Sequence, residues 1–114
     1  MSLLAEIQEA LSVTGIPVET GVYSGKAPDT YIVAVPMEDS LELYADDFPT
    51  EEVQETRLSL YTKGNYISFR DTITHLLLEN DLTITLRQYI GYETDTGYHH
   101  YVIDVAKVYE FEME

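Results

Sequence analysis

The chain has 114 residues, six basic against twenty-one acidic, for a formal charge of −15, and it contains no cysteine. That length suits one domain with a modest hydrophobic core, and the missing cysteines exclude a disulfide scaffold and thiol chemistry. A charge this negative repels nucleic acid and anionic membranes, and no apolar run approaches transmembrane length.

Ser2 is placed to cap a first helix, with Leu3, Leu4, Ile7 and Leu11 on one stripe, Ala10 beside it, and Glu6 and Glu9 on the outer face. Gly15 and Pro17 stop that helix. The same opening stretch has no basic start and no long apolar run, so it is not expected to act as a signal peptide, and the chain is expected to be soluble and to stay or assemble inside a cell. Ile16 to Tyr23 alternates as a strand, residues 24–29 form a loop, and Tyr31 to Val35 is a nearly all-apolar strand expected near the sheet centre. A hairpin between these two strands is the simplest pairing. Pro36 to Glu52 reads as an irregular acidic excursion holding at most a short strand, because Asp46-Asp47 and Pro49 interrupt it. Such a segment is a natural place for mobility or a partner contact.

Val53 to Tyr61 is the next strand. Lys63-Gly64-Asn65 then turns into a second helix, where Asn65 is the cap and Tyr66, Phe69, Ile73, Leu76 and Leu77 fall at spacings of three and four. Asn80-Asp81 ends it. Leu82 to Ile90 and Tyr98 to Phe111 form a closing hairpin around Asp95-Thr96-Gly97. The expected fold class is α+β, an antiparallel or mixed sheet of about five strands with two α-helices packed on one face, in a single domain spanning residues 1–114.

No catalytic constellation emerges. Gly21-Val22-Tyr23-Ser24-Gly25-Lys26 has the outline of a phosphate loop, but its glycines are one position too close. Ala27 stands where a magnesium-binding hydroxyl belongs, and a strand follows instead of a helix. His99 and His100 lie near Glu93 and Asp95, yet neighbours on a strand point to opposite faces and cannot share one ion. His75 suits a helix boundary, with Asp71 one turn earlier as a weak surface partner. No serine has a Gly-x-Ser-x-Gly context, and the paired carboxylates lie in polar runs with no apolar pocket to raise a pKa. Neither catalysis, nor a metal, nor a cofactor is expected.

Three stretches carry a resemblance. They are Leu-Tyr-Thr-Lys-Gly-Asn-Tyr (60–66) entering the second helix, Asp-Thr-Tyr-Ile-Val (29–33) followed by Ala45-Asp46-Asp47, and the hairpin Tyr-Glu-Thr-Asp-Thr-Gly-Tyr-His (92–99). From about Asp29 to Val105 the chain resembles the small tail-completion proteins of long-tailed phages and prophages, also called tail terminator or tail-to-head joining proteins. The resemblance implies an α+β structural protein of the virion, assembled in the bacterial cytoplasm, without enzymatic activity or cofactor. It implies a ring of copies, commonly a hexamer, seated on the major tail protein of the tube and meeting the head connector. DNA would pass through without specific binding, helped by acids lining the bore, and no membrane is involved. The excess of tyrosine, ten residues with no tryptophan, suits a protein that lives in contact with others. Candidate interface residues are Asp46 and Asp47 in the excursion and Tyr89, Tyr92, Asp95, Tyr98, His99 and Tyr101 in the final hairpin. The competing class is a small acidic nucleic-acid mimic that inhibits a DNA-binding protein, supported by the charge alone; a small enzyme or ligand-binding domain lacks convergent polar groups.

Overall fold

The computed structural model describes residues 2–111. Helix α1 (Leu3–Leu11) begins where the Ser2 hydroxyl accepts from the Ala5 amide, and a single 3-10 turn leads to Gly15 in the left-handed conformation. Strands β1 (Val18–Thr20), β2 (Thr30–Ala45) and β3 (Phe48–Thr62) precede helix α2 (Tyr66–Glu79), and β4 (Thr83–Tyr92) and β5 (His99–Glu110) close the chain. Asn65 caps α2 by accepting from the Ile67 amide. Together the strands make one mixed sheet in the order β1-β2-β3-β5-β4.

Both helices lie on one face, as the apolar stripes predict. Leu3, Ile7 and Leu11 of α1 and Ile73 and Leu77 of α2 bury against Ile32, Ala34, Leu58, Leu60, Tyr101, Ile103 and Val105. In β3 and β5 these sheet residues alternate with others that point away, and among the described residues both α-helices pack on the first set, leaving the opposite face without a helix. That uncovered side is called the open face below.

Two expectations are corrected. Strand β1 is shorter than its alternating stretch, and it pairs in parallel with β2 (Val18 beside Ile32), not as a hairpin. A parallel return normally needs a long crossover; residues 21–29 suffice because only a three-residue strand has to be retraced. The loop is clipped at both ends, by Ser24 donating its amide and hydroxyl to Glu19 and by the Tyr98 hydroxyl donating to the Pro28 carbonyl at 2.6 Å.

The second correction concerns the acidic stretch, which is ordered strand. Strands β2 and β3 pair along their whole length as a hairpin whose turn is Asp46-Asp47, both left-handed (φ 51° and 66°). Two consecutive left-handed residues make the turn whose twist matches a hairpin, and aspartate tolerates that conformation better than most residues. Pro36 and Pro49 are accommodated because β2 beyond Ala34 is an edge, and Pro49 sits beside the turn. The distal hairpin forms an arm on a molecule 54 Å long and 25 × 22 Å across. The expected interior place of Tyr31–Val35 holds, since this part of β2 is flanked by β1 and β3 and its Ile32, Val33 and Ala34 are buried; beyond Ala34 β2 is an edge.

Glu6 does not face outward as its position on α1 suggested. Its carboxylate accepts from Lys107 Nζ at 2.7 Å and from the Tyr109 hydroxyl, tying α1 to β5. Burial pushes this carboxyl upward, but the two hydrogen bonds and the lysine charge outweigh it and hold Glu6 below its ordinary value. A depressed carboxylate stabilises the fold at neutral pH and loses that contribution as pH falls below about 4.3, the ordinary glutamate value. Glu6→Gln should therefore cost about 1–3 kcal/mol at pH 7 and flatten the acid limb of a stability–pH profile measured by urea denaturation. An unchanged acid limb would show that this contact does not anchor α1.

Candidate interaction surface

Register arranges the open face into rows. Tyr31, Tyr61 and His100 stand directly opposite one another on β2, β3 and β5. Their rings stack, with centroids 4.9 Å apart for Tyr31–Tyr61 and 4.3 Å for Tyr61–His100, while Tyr98 meets Tyr31 and Tyr61 edge-on. Burial, then neighbouring tyrosines and Glu93, raises the Tyr31 phenol; burial and Glu93 do the same to Tyr61, so both remain neutral hydroxyls at physiological pH. His100 is pushed down by burial, and its Nε2 is buried without a hydrogen-bond partner. Beside this row a groove of about 390 Å³ is lined by Tyr23, Tyr31, Val33, Val35, Tyr61 and Glu93, among others.

Next along the face, Arg57 and Asp104 stand opposite each other in a two-pronged ion pair, with Nε to Oδ1 at 2.8 Å and the second prong at 2.9 Å. The pair satisfies the buried Asp104 carboxylate, which would be costly alone.

On the arm the rows are acidic. Glu38 stands opposite Glu55, and Glu42, Glu51 and Glu110 form a line across β2, β3 and β5. Directly opposed side chains have Cβ atoms about 5 Å apart, and like charges in that relation destabilise a sheet. Relieving the line at its centre should help: Glu51→Gln is expected to raise the melting temperature by about 2–4 °C at low salt. The gain should shrink toward zero in about 1 M salt, where the screening length falls to about 3 Å. A melting temperature lowered by this substitution would contradict the like-charge reading.

The arm's other face carries bare apolar side chains among Asp39, Thr50 and Glu52. Leu41, Leu43 and Phe48 carry it past the end of α1, and Leu43 and Phe48 are 63% and 56% exposed. Leu43 is also left-handed (φ 52°), an unfavourable conformation for a bulky residue, with its carbonyl accepting from the Thr50 hydroxyl.

The sequence-predicted site residues do not form one surface. Asp46 and Asp47 are the arm tip, at the opposite end of the long axis from the final hairpin turn that holds Asp95. Tyr89, Tyr92 and His99 come together beside α2, where the Tyr89 hydroxyl and His99 Nδ1 are 2.9 Å apart and Tyr92 and Tyr66 pack on the same imidazole. Tyr98 and Tyr101 are corrected as interface residues: at 8% and 6% exposure they are interior, one latching the 21–29 loop and the other packing on Tyr66. His99 and His100 point to opposite faces, one toward Tyr66 and the other toward Tyr61. Asp71 takes Arg70 as its partner at 2.9 Å, in place of His75. Residue-type reasoning missed the aromatic row, the glutamate rows and the bare apolar side chains of the arm. The signal for the glutamates was present, since acids recur four residues apart on both sides of Asp46-Asp47, Glu38 with Glu42 and Glu51 with Glu55, an even spacing that puts each pair on one face of a strand.

Among the described residues no three or more His, Cys, Asp or Glu side chains are grouped to hold a metal ion, and no helix is long and apolar enough to cross a membrane. No model of a known protein family matches this chain, and no curated protein matches it either.

Proposed function

We propose that this protein is a non-catalytic structural component of a long-tailed phage or prophage, capping the tail tube and joining it to the head connector as a ring of copies. The arm is the observation that carries this reading. A two-stranded ribbon is marginal by itself in water, and here its apolar side chains Leu41, Leu43 and Phe48 are left without cover. Such a feature stabilises a fold only when a neighbour completes it, which is what a ring subunit supplies. The resemblance over residues 29–105 supports the same assignment, and the acidic surface suits a channel through which DNA slides without being held. In this reading the protein belongs to the virion and contacts itself, the major tail protein and the head connector.

Light scattering after gel filtration, across protein concentration and salt, tests it. The wild type is expected to form a ring-sized species, favoured by salt because screening weakens repulsion between chains of charge −15. Leu43→Ser with Phe48→Ser should abolish that species while leaving the monomer's melting temperature within about 2 °C, because exposed positions contribute little to monomer stability. A wild type that stays monomeric throughout, and also fails to bind purified tail tubes lacking their end protein, overturns the reading.

A further inference from the structure

We infer that the arm half of the open sheet face is a docking surface for a lysine- or arginine-bearing segment of another protein, and that a second copy of this chain does not fill it. The inference goes beyond the tail-end reading, since it uses only the face and its charges and applies wherever the protein works.

Three observations combine. The face is a partnerless sheet surface, continuous across β2, β3 and β5. Its arm half presents Glu42, Glu51 and Glu110 in one line and Glu38 with Glu55 in another, and among the described residues none of these five carboxylates is in an ion pair. Between those rows Val53 and Val108 stand directly opposite each other, with Ser40 on the other side of Val53; Val53 is half-buried and Val108 well exposed. Glutamates flanking an apolar strip match a lysine or arginine side chain, whose stem is apolar and whose head is charged. Charged heads would pair with the carboxylate rows while the stems cover the valines.

Charge also decides against self-docking. Among the described residues Arg57, Lys63, Arg70 and Lys107 are already in ion pairs within the chain, which leaves Lys26 and Arg87. Arg87 points to the helix side, toward Thr74. A second copy therefore brings more carboxylates to this face than cations. Pairing two such faces would set like charges together, which disfavours association.

The test uses the whole chain and, as probe, a peptide of about ten residues alternating lysine and alanine, titrated calorimetrically in about 0.15 M salt. Two triple variants with equal loss of negative charge are compared. One is Glu42→Gln, Glu51→Gln, Glu110→Gln; the other is Glu9→Gln, Glu79→Gln, Asp95→Asn, all exposed and away from these rows. The first should weaken binding about tenfold, the sum of three modest ion pairs, and the second by less than about twofold. Amide shifts on peptide addition should cluster around Glu51, Val53 and Val108. Melting curves check folding, and relief of the glutamate line predicts that the first variant is no less stable than wild type. Equal losses in the two variants, or shifts centred on the helices, would show only general attraction to an acidic protein and overturn the inference. So would self-association that appears in the wild type and disappears in the first variant alone.

Discussion

The pairing of β3 with both neighbours is the constraint on which the rest of this molecule depends. Strands β3 and β5 run in unbroken antiparallel register from Glu51 beside Glu110 to Thr62 beside His99. Because side chains alternate with period two, that register sends Leu58, Leu60, Tyr101 and Ile103 to the helices and Arg57, Tyr61, His100 and Asp104 to the open face. A slip of one residue would exchange the two sets, placing the Arg57–Asp104 pair under α1 and α2 and the leucines in water. The irregularities all fall on the flanking strands, where β2 shifts between Pro36 and Glu38 and β4 shifts twice. A bulge reverses the facing of everything beyond it. If Met37 were paired as a regular strand residue instead of bulging out, Glu38 and Glu42 would follow Ala34 onto the helix side, and Leu41 and Leu43 would take the open face. The bulge at Met37 thus decides which side of the arm carries the glutamate rows and which carries Leu41, Leu43 and Phe48.

The same register explains why so few basic residues hold so acidic a chain together. Four of the six are committed to carboxylates on neighbouring elements or positions: Arg57 to Asp104 across two strands, Lys107 to Glu6 between sheet and helix, Lys63 to Asp29, and Arg70 to Asp71. The two pairs with sheltered carboxylates, Asp104 and Glu6, fix elements far apart in sequence. The other two are exposed and contribute little. The remaining carboxylates are mostly left to solvent, and the arm gathers them. Stability is therefore concentrated in the two-helix half of the sheet, while the arm contributes surface.

How much of this was legible follows from which forces are local. Both helices could be read because their caps and stripes lie within a few residues of each other: Ser2 with Leu3 and Ile7, Asn65 with Ile73 and Leu77. The closing hairpin could be read from Asp95-Thr96-Gly97. The arm could not, because Asp46-Asp47 lacks the glycine that usually announces such a turn, and Pro36 and Pro49 look like breakers until the strand is known to be an edge. Strand β1 defeated local reading for another reason: three residues carry little pattern, and its parallel partner is chosen by the sheet. Tyr98 and Tyr101 show the limit of residue type. Tyrosine suits interfaces and interiors equally, and only long-range contacts decided: Tyr98 is buried by its latch to the 21–29 loop and Tyr101 by packing on Tyr66, while Tyr92 stayed out.

The two sides of the arm make different demands on whatever surrounds the protein. Leu41, Leu43 and Phe48 gain by being removed from water, and any apolar surface of suitable shape satisfies them, another copy included. The glutamate rows gain only from cations, which this chain has almost none left to offer. A neighbour that covers the apolar side also brings its own negative charge nearby, and that raises the benefit of a cationic partner on the open face. Were both contacts made, copy-to-copy contact and contact with a basic partner would be coupled through electrostatics alone, without any change of shape in the sheet. The coupling weakens with ionic strength, because exposed carboxylates on a narrow ribbon are well screened.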